Sequence, residues 1–99
     1  LFRAYSVPRG AQVIEVRNNV FVPASVTIQA GSQVAWVWRG ESRNHSVVPD
    51  SSIPAPSGGV FSSPRVYQTT FDVPGTYRYF CSVHGARGGS GMSGTITVL

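Results

Sequence analysis

Apolar and polar residues alternate along AQVIEVRN (11–18), so that Val13, Glu15 and Arg17 point one way and Ile14 and Val16 the other. A two-residue period suits an extended chain with one face in a core. QVAWVW (33–38) reads the same way, with Val34, Trp36 and Trp38 on one face, and SVTIQ (25–29) stands just before it. The AGS turn between these two runs predicts a β-hairpin.

Further strands are expected in HSVV (45–48), RVYQTTFDV (65–73), TYRYFC (76–81) and GTITVL (94–99). The Pro-Gly pair at 74–75 turns the chain between two of them, and RGESRN (39–44) is a polar loop. DSSIPAPSGGVFSSP (50–64) is rich in Ser, Pro and Gly and reads as a long surface excursion. Almost no run of Ala, Leu, Glu or Lys supports a long helix. The reading is an all-β chain, a two-sheet Greek-key β-sandwich forming a single domain over residues 1–99. With one cysteine there is no internal disulfide, so burial alone must hold the fold.

The formal charge is +4 and all of the basic residues are arginine, at positions 3, 9, 17, 39, 43, 65, 78 and 87. Spread along the chain, they read first as a solvated surface and second as a steering field for an acidic partner. A nucleic-acid binder would concentrate them, so no nucleic-acid partner is expected. No stretch is as long as a membrane span. The chain opens at Leu1 without a charged-then-apolar leader, so any export signal or anchor is expected either to have been trimmed or never to have been there.

His45, Cys81, His84 and Met92 are the only His, Cys and Met residues in the chain. Two imidazoles, a thiolate and a weak axial thioether make the donor set of a blue copper site, soft enough for Cu(I) while imidazole still binds Cu(II). Cys81 stands where a strand is expected to end and His84 in the loop beyond it, while His45 opens a different strand. A closed structural zinc site wants four strong ligands, and three plus a thioether are present. Taken alone, Cys81 could equally be a buried free thiol and Met92 a core side chain.

Several blocks, in order, resemble the small cupredoxins of the plastocyanin and pseudoazurin type: FVPASVTIQAGSQVAWVW, NHSVV, TTFDVPGTYRYFCSVH and GMSGTITV. The resemblance covers nearly everything after Val20. It implies that His45, Cys81 and His84 are equatorial ligands of one copper ion and Met92 the axial one, with His84 as the surface exit for the electron. It implies an electron carrier and no enzyme. The chain is expected to act as a monomer outside the cytoplasm, on the periplasmic or cell-surface side, either on its own or as a domain excised from a longer exported or anchored protein. Redox protein partners, acidic ones among them, are expected to dock near His84 and Arg87.

Three departures from the family pattern stand out. Seven residues, GARGGSG (85–91), separate His84 from Met92 where four are common, and their glycines can fold a longer loop back on itself. Ser46 and Ser82 replace the usual pair that ties the first histidine's strand to the cysteine's neighbour, leaving that link shorter, water-mediated or absent. The acidic patches of plant plastocyanins have no counterpart. The glycine-rich loop supports a second reading, a copper-delivery or storage domain. A Cys81 nucleophile with His84 as base lacks an evident orienting carboxylate.

Overall fold

The computed structural model describes residues 10–40, 42–50 and 60–99. Arg3, Arg9, Glu41 and most of the Asp50–Pro64 excursion lie outside them. Eight strands follow in chain order: β1 (Gln12–Arg17), β2 (Val20–Val22), β3 (Ser25–Ile28), β4 (Ser32–Trp38), β5 (Val48–Pro49), β6 (Arg65–Phe71), β7 (Gly75–Ala86) and β8 (Ser90–Val98). One sheet has the order β2-β1-β4-β6 and the other β3-β8-β7-β5. Each sheet holds one parallel pair, β1 with β4 and β3 with β8, and is otherwise antiparallel.

The alternation in the sequence sets the faces. Ile14 and Val16 of β1 and Val34, Trp36 and Trp38 of β4 enter the core, and Met92, Ile96 and Val98 of β8 meet them from the opposite sheet. Aromatic rings knit the two layers together. Trp36 stands edge-on to Tyr79 of β7 at 5.3 Å, Phe21 of β2 to the same ring at 4.7 Å, and Phe71 of β6 to Tyr77 of β7 at 5.0 Å. Such contacts add about 0.5–1.5 kcal/mol each beyond the area they bury. Gly94 of β8 lies opposite Tyr79, and a methyl group there would collide with the phenol.

The expected hairpin between residues 25–29 and 33–38 does not form. β3 pairs with β8 and β4 with β1 and β6, so the glycine turn carries the chain from one sheet to the other. Ala30 N–H donates to Leu99 O at 3.2 Å and Gly31 N–H to Phe71 O at 2.7 Å, tying the crossover to both sheets. The crossover lets Val26 and Ile28 bury their face from the layer opposite Val34 and Trp36. Residues 45–48 form less strand than expected: His45 makes an isolated bridge with Phe61, and β5 has only two residues.

Register aligns Val16 with Trp38 and Trp38 with Arg65, so β1 and β4 finish where β6 begins. At this end of the sandwich Trp38 Nε1–H donates to the carbonyls of His45 (3.3 Å) and Phe61 (3.1 Å).

Candidate metal centre

The β7–β8 ladder is regular up to the pair Phe80–Ser93 and resumes at Gly85–Gly91. Between these pairs the four residues Cys81 to His84 on β7 stand against Met92 alone on β8. So large a bulge kinks the strand and re-aims its side chains. Cys81 turns inward and is fully buried, His84 stays exposed, and Met92 is 2% exposed within the core. The sequence reading ended the strand at Cys81 and put His84 in a loop. Instead β7 continues to Ala86, and residues 85–91 close a β-hairpin around the turn Arg87–Gly89.

Glycine makes this closure possible. A methyl group at Gly85 would run into the backbone of Met92, and one at Gly91 would lie 2.5 Å from the His84 carbonyl oxygen. Gly91 also has φ +64°, a conformation unfavourable for other residues.

His45 arrives from the other side. Two backbone hydrogen bonds of 2.9 Å lock it against Phe61, and left-handed Asn44 (φ 59°) leads into it. Its Nδ1 lies 3.8 Å from Cys81 Sγ, and Nδ1 of His84 lies 3.6 Å from the same sulfur. The three donor atoms lie within 4.8 Å of one another. Bonds of about 2.0–2.3 Å from three donors to one first-row ion require edges of about 3.5–4 Å. The two edges to Cys81 Sγ, 3.8 and 3.6 Å, match that spacing, so the donors can close on a single metal ion, and their softness suits copper.

Neighbouring groups prepare the donors. Asn18, at the tip of the β1–β2 turn, has its Oδ1 3.2 Å from His45 Nε2 and 3.3 Å from the Arg43 amide nitrogen. Since that backbone N–H can only donate, Oδ1 is an acceptor toward both. The His45 ring proton therefore sits on Nε2, leaving the Nδ1 lone pair aimed at the cluster. Burial, and secondarily the charge of nearby His84, hold the His45 imidazole below its ordinary 6.5, which favours the unprotonated ligand form. Ser46 Oγ accepts from Ser82 N–H at 2.9 Å and lies 2.9 Å from Ser82 Oγ, so the link between the His45 and Cys81 segments is direct and made by two serines.

All four residues singled out from the sequence thus lie at one end of the sandwich, three of them converging on a common point and Met92 facing their bulge. Asn18 was not legible as part of the site. Asn-Asn at 18–19 signals a turn, and nothing in it points to a histidine 27 positions away. Arg87 lies in the turn of the hairpin that carries His84. Its guanidinium pairs with Asp50 Oδ1 at 3.5 Å, and Asp50 Oδ2 accepts from Gly88 N–H at 2.9 Å, so Asp50 offsets the charge beside the His84 hairpin.

A two-sheet β-sandwich that closes two histidines and a cysteine over a buried methionine at one end defines a blue copper electron carrier of the cupredoxin fold. The chain belongs to the copper binding proteins of the plastocyanin/azurin family, whose model matches residues 10–99. Plastocyanin of Scenedesmus fuscus is 38% identical over 87 residues, a match covering 80% of this chain and 86% of that protein. Amicyanin of Paracoccus versutus is 34% identical over 84 residues, covering 82% of this chain and 63% of that protein. Halocyanin of Natronomonas pharaonis is 34% identical over 85 residues, and the match spans half of its length. Among solved structures, the oxidised form of an amicyanin variant superposes with a TM-score of 0.80 at 26% identity, covering 99% of this chain and 90% of that one. These relatives lend no support to the copper-delivery reading.

Proposed function

We propose that His45, Cys81 and His84 are the equatorial ligands of one copper ion, that Met92 is the axial ligand, and that His84 is the site of electron exchange with redox proteins. The observation that carries this reading is the convergence of both Nδ1 atoms on Cys81 Sγ, at 3.8 and 3.6 Å. Copper bound there supplies a one-electron couple, Cu(II)/Cu(I). The protein's part is to hold the donors in one arrangement through both states: Asn18 and the Phe61 bridge fix His45, the Ser46–Ser82 link fixes the Cys81 turn, and the Gly85–Gly91 pair seats the hairpin. Little need then move when an electron arrives or leaves.

His84 is exposed beside Val83, itself 52% exposed, which supports contact with a partner through a small apolar surface at that point. Residues 1–99 act in this reading as one monomeric domain outside the cytoplasm, carrying electrons and catalysing no reaction of its own. No helix among the described residues is long and apolar enough to cross a membrane.

Adding Cu(II) to the metal-free protein is expected to give an intense visible thiolate-to-copper band, and Cys81→Ser to abolish it. A colourless, weakly bound product would overturn the assignment.

A further inference from the structure

The arginines are scattered in sequence, yet the fold gathers four of them. Arg17 follows Val16 at the end of β1, Arg39 follows Trp38 at the end of β4, and Arg65 opens β6 opposite Trp38. They therefore lie across one end of three adjacent strands. Arg43 joins them through its backbone bond to Asn18. Three shallow clefts of ≈ 360, 310 and 330 Å³ adjoin here, and Gly40 lines each of them.

Glu15 alone among the described carboxylates answers this charge, pairing with Arg17 at 2.6 Å and Arg39 at 3.1 Å. No described carboxylate pairs with Arg43 or Arg65, and the Arg65 guanidinium lies over the Phe61 ring at 3.9 Å. Counting also Glu41, which the sequence places between Gly40 and Ser42, four arginines against two glutamates leave +2. The His84 hairpin differs, because Asp50 offsets Arg87. Net positive charge is thus gathered at the end of the first sheet, on exposed Arg17, Arg39 and Arg43 and half-buried Arg65.

This face also touches the metal centre. Asn18 is exposed in the cleft between Arg17 and Arg39, and its Oδ1 accepts from His45 Nε2–H. A partner seated on the arginines would be one residue away from a buried ligand.

We propose that the arginine-lined end of β1, β4 and β6 is a docking face for an acidic redox protein, which contacts Arg39, Arg43 and Arg65 with Asn18 beneath it. That the partner is a redox protein rests on the electron-carrier reading above; that it is acidic rests on the charge of this face. Long-range attraction of this kind raises the association rate and fades with salt.

The test is amide chemical-shift mapping of the folded protein with a hexa-aspartate peptide, in the metal-free and Cu(I) forms. Shifts centred on Asn18 and residues 39–43, suppressed at high salt, are the expected result. Arg43→Gln combined with Arg39→Gln should weaken the peptide roughly fivefold or more, against less than about twofold for Arg87→Gln. Shifts centred on residues 85–89, equal losses from Arg87→Gln, or tighter binding of an oligonucleotide of matched charge would overturn the proposal. The mapping on the unaltered chain decides the matter should the double variant fold poorly. A missing visible band alongside intact mapping would remove the copper reading and leave the acidic docking face supported.

Discussion

The side-chain oxygen of Asn18 lies 3.2 Å from Nε2 of His45, joining the tip of the β1–β2 turn to a buried donor of the metal cluster. Asn18→Leu removes the acceptor and leaves the ring N–H unsatisfied, at a cost of about 1–3 kcal/mol. Metal affinity should fall by about 10- to 100-fold, as when a ligand's hydrogen-bond partner is lost. Competitive metal titration of the folded variant checks this; unchanged affinity would show that the Asn18 bond does not hold the ring in place.

Ser46→Ala deletes the acceptor for Ser82 N–H together with the hydroxyl pair between the two segments. The expected loss is about 1–2 kcal/mol in denaturant unfolding. Ser82→Ala keeps the backbone bond and should cost less. Equal losses from the two variants would place the strength of the link in the hydroxyl pair.

Gly91→Ala faces both a left-handed backbone and the His84 carbonyl, whereas Gly88, with φ +83°, has open space where a side chain would go. Gly88→Ala should cost about 1 kcal/mol from backbone strain alone. Gly91→Ala should cost at least about 2 kcal/mol and disturb the visible band, because the hairpin must shift away from His84. Thermal unfolding and absorption spectra of the two copper-loaded variants make the comparison.

The metal-free protein should lose stability in mild acid. Burial lowers the His45 pKa in the folded state, so below 6.5 the unfolded chain takes up a proton that the folded chain resists. Unfolding free energy should be flat with respect to this group above 6.5 and decline as pH falls toward the depressed folded value. Urea unfolding across this range in the unaltered chain and in His45→Gln checks the sign: the difference between them should shrink with falling pH.

Much of the fold could be read from local pattern. The alternation in residues 12–17 and 33–38 put Ile14, Val16, Val34, Trp36 and Trp38 on the faces that the sandwich buries. The AGS turn was legible as a turn but misleading as a hairpin, since a sharp reversal within a sheet and a crossover between sheets use similar residues. Which one forms depends on β8, whose residues pair with β3 residues 70 positions earlier, as in Ser25 with Thr95. The Ser46–Ser82 pair was visible as a departure from the family pattern, and only the bulge after Phe80 brings the two hydroxyls within 2.9 Å.

Chemical identity belonged to the sequence by itself: the scarcity of His, Cys and Met left one soft donor set, and the matched blocks ordered it along the chain. Tertiary structure alone decided which neighbours serve that set. Asn18 reaches His45, four arginines scattered over almost 50 positions gather at one end of a sheet, Asp50 offsets Arg87, and Met92 faces the Cys81–His84 bulge. The physical reason is range. Side-chain alternation is set by residues two apart, whereas these contacts join segments 18 or more residues apart or depend on strand register, and they exist only after both sheets have paired and closed on a common core.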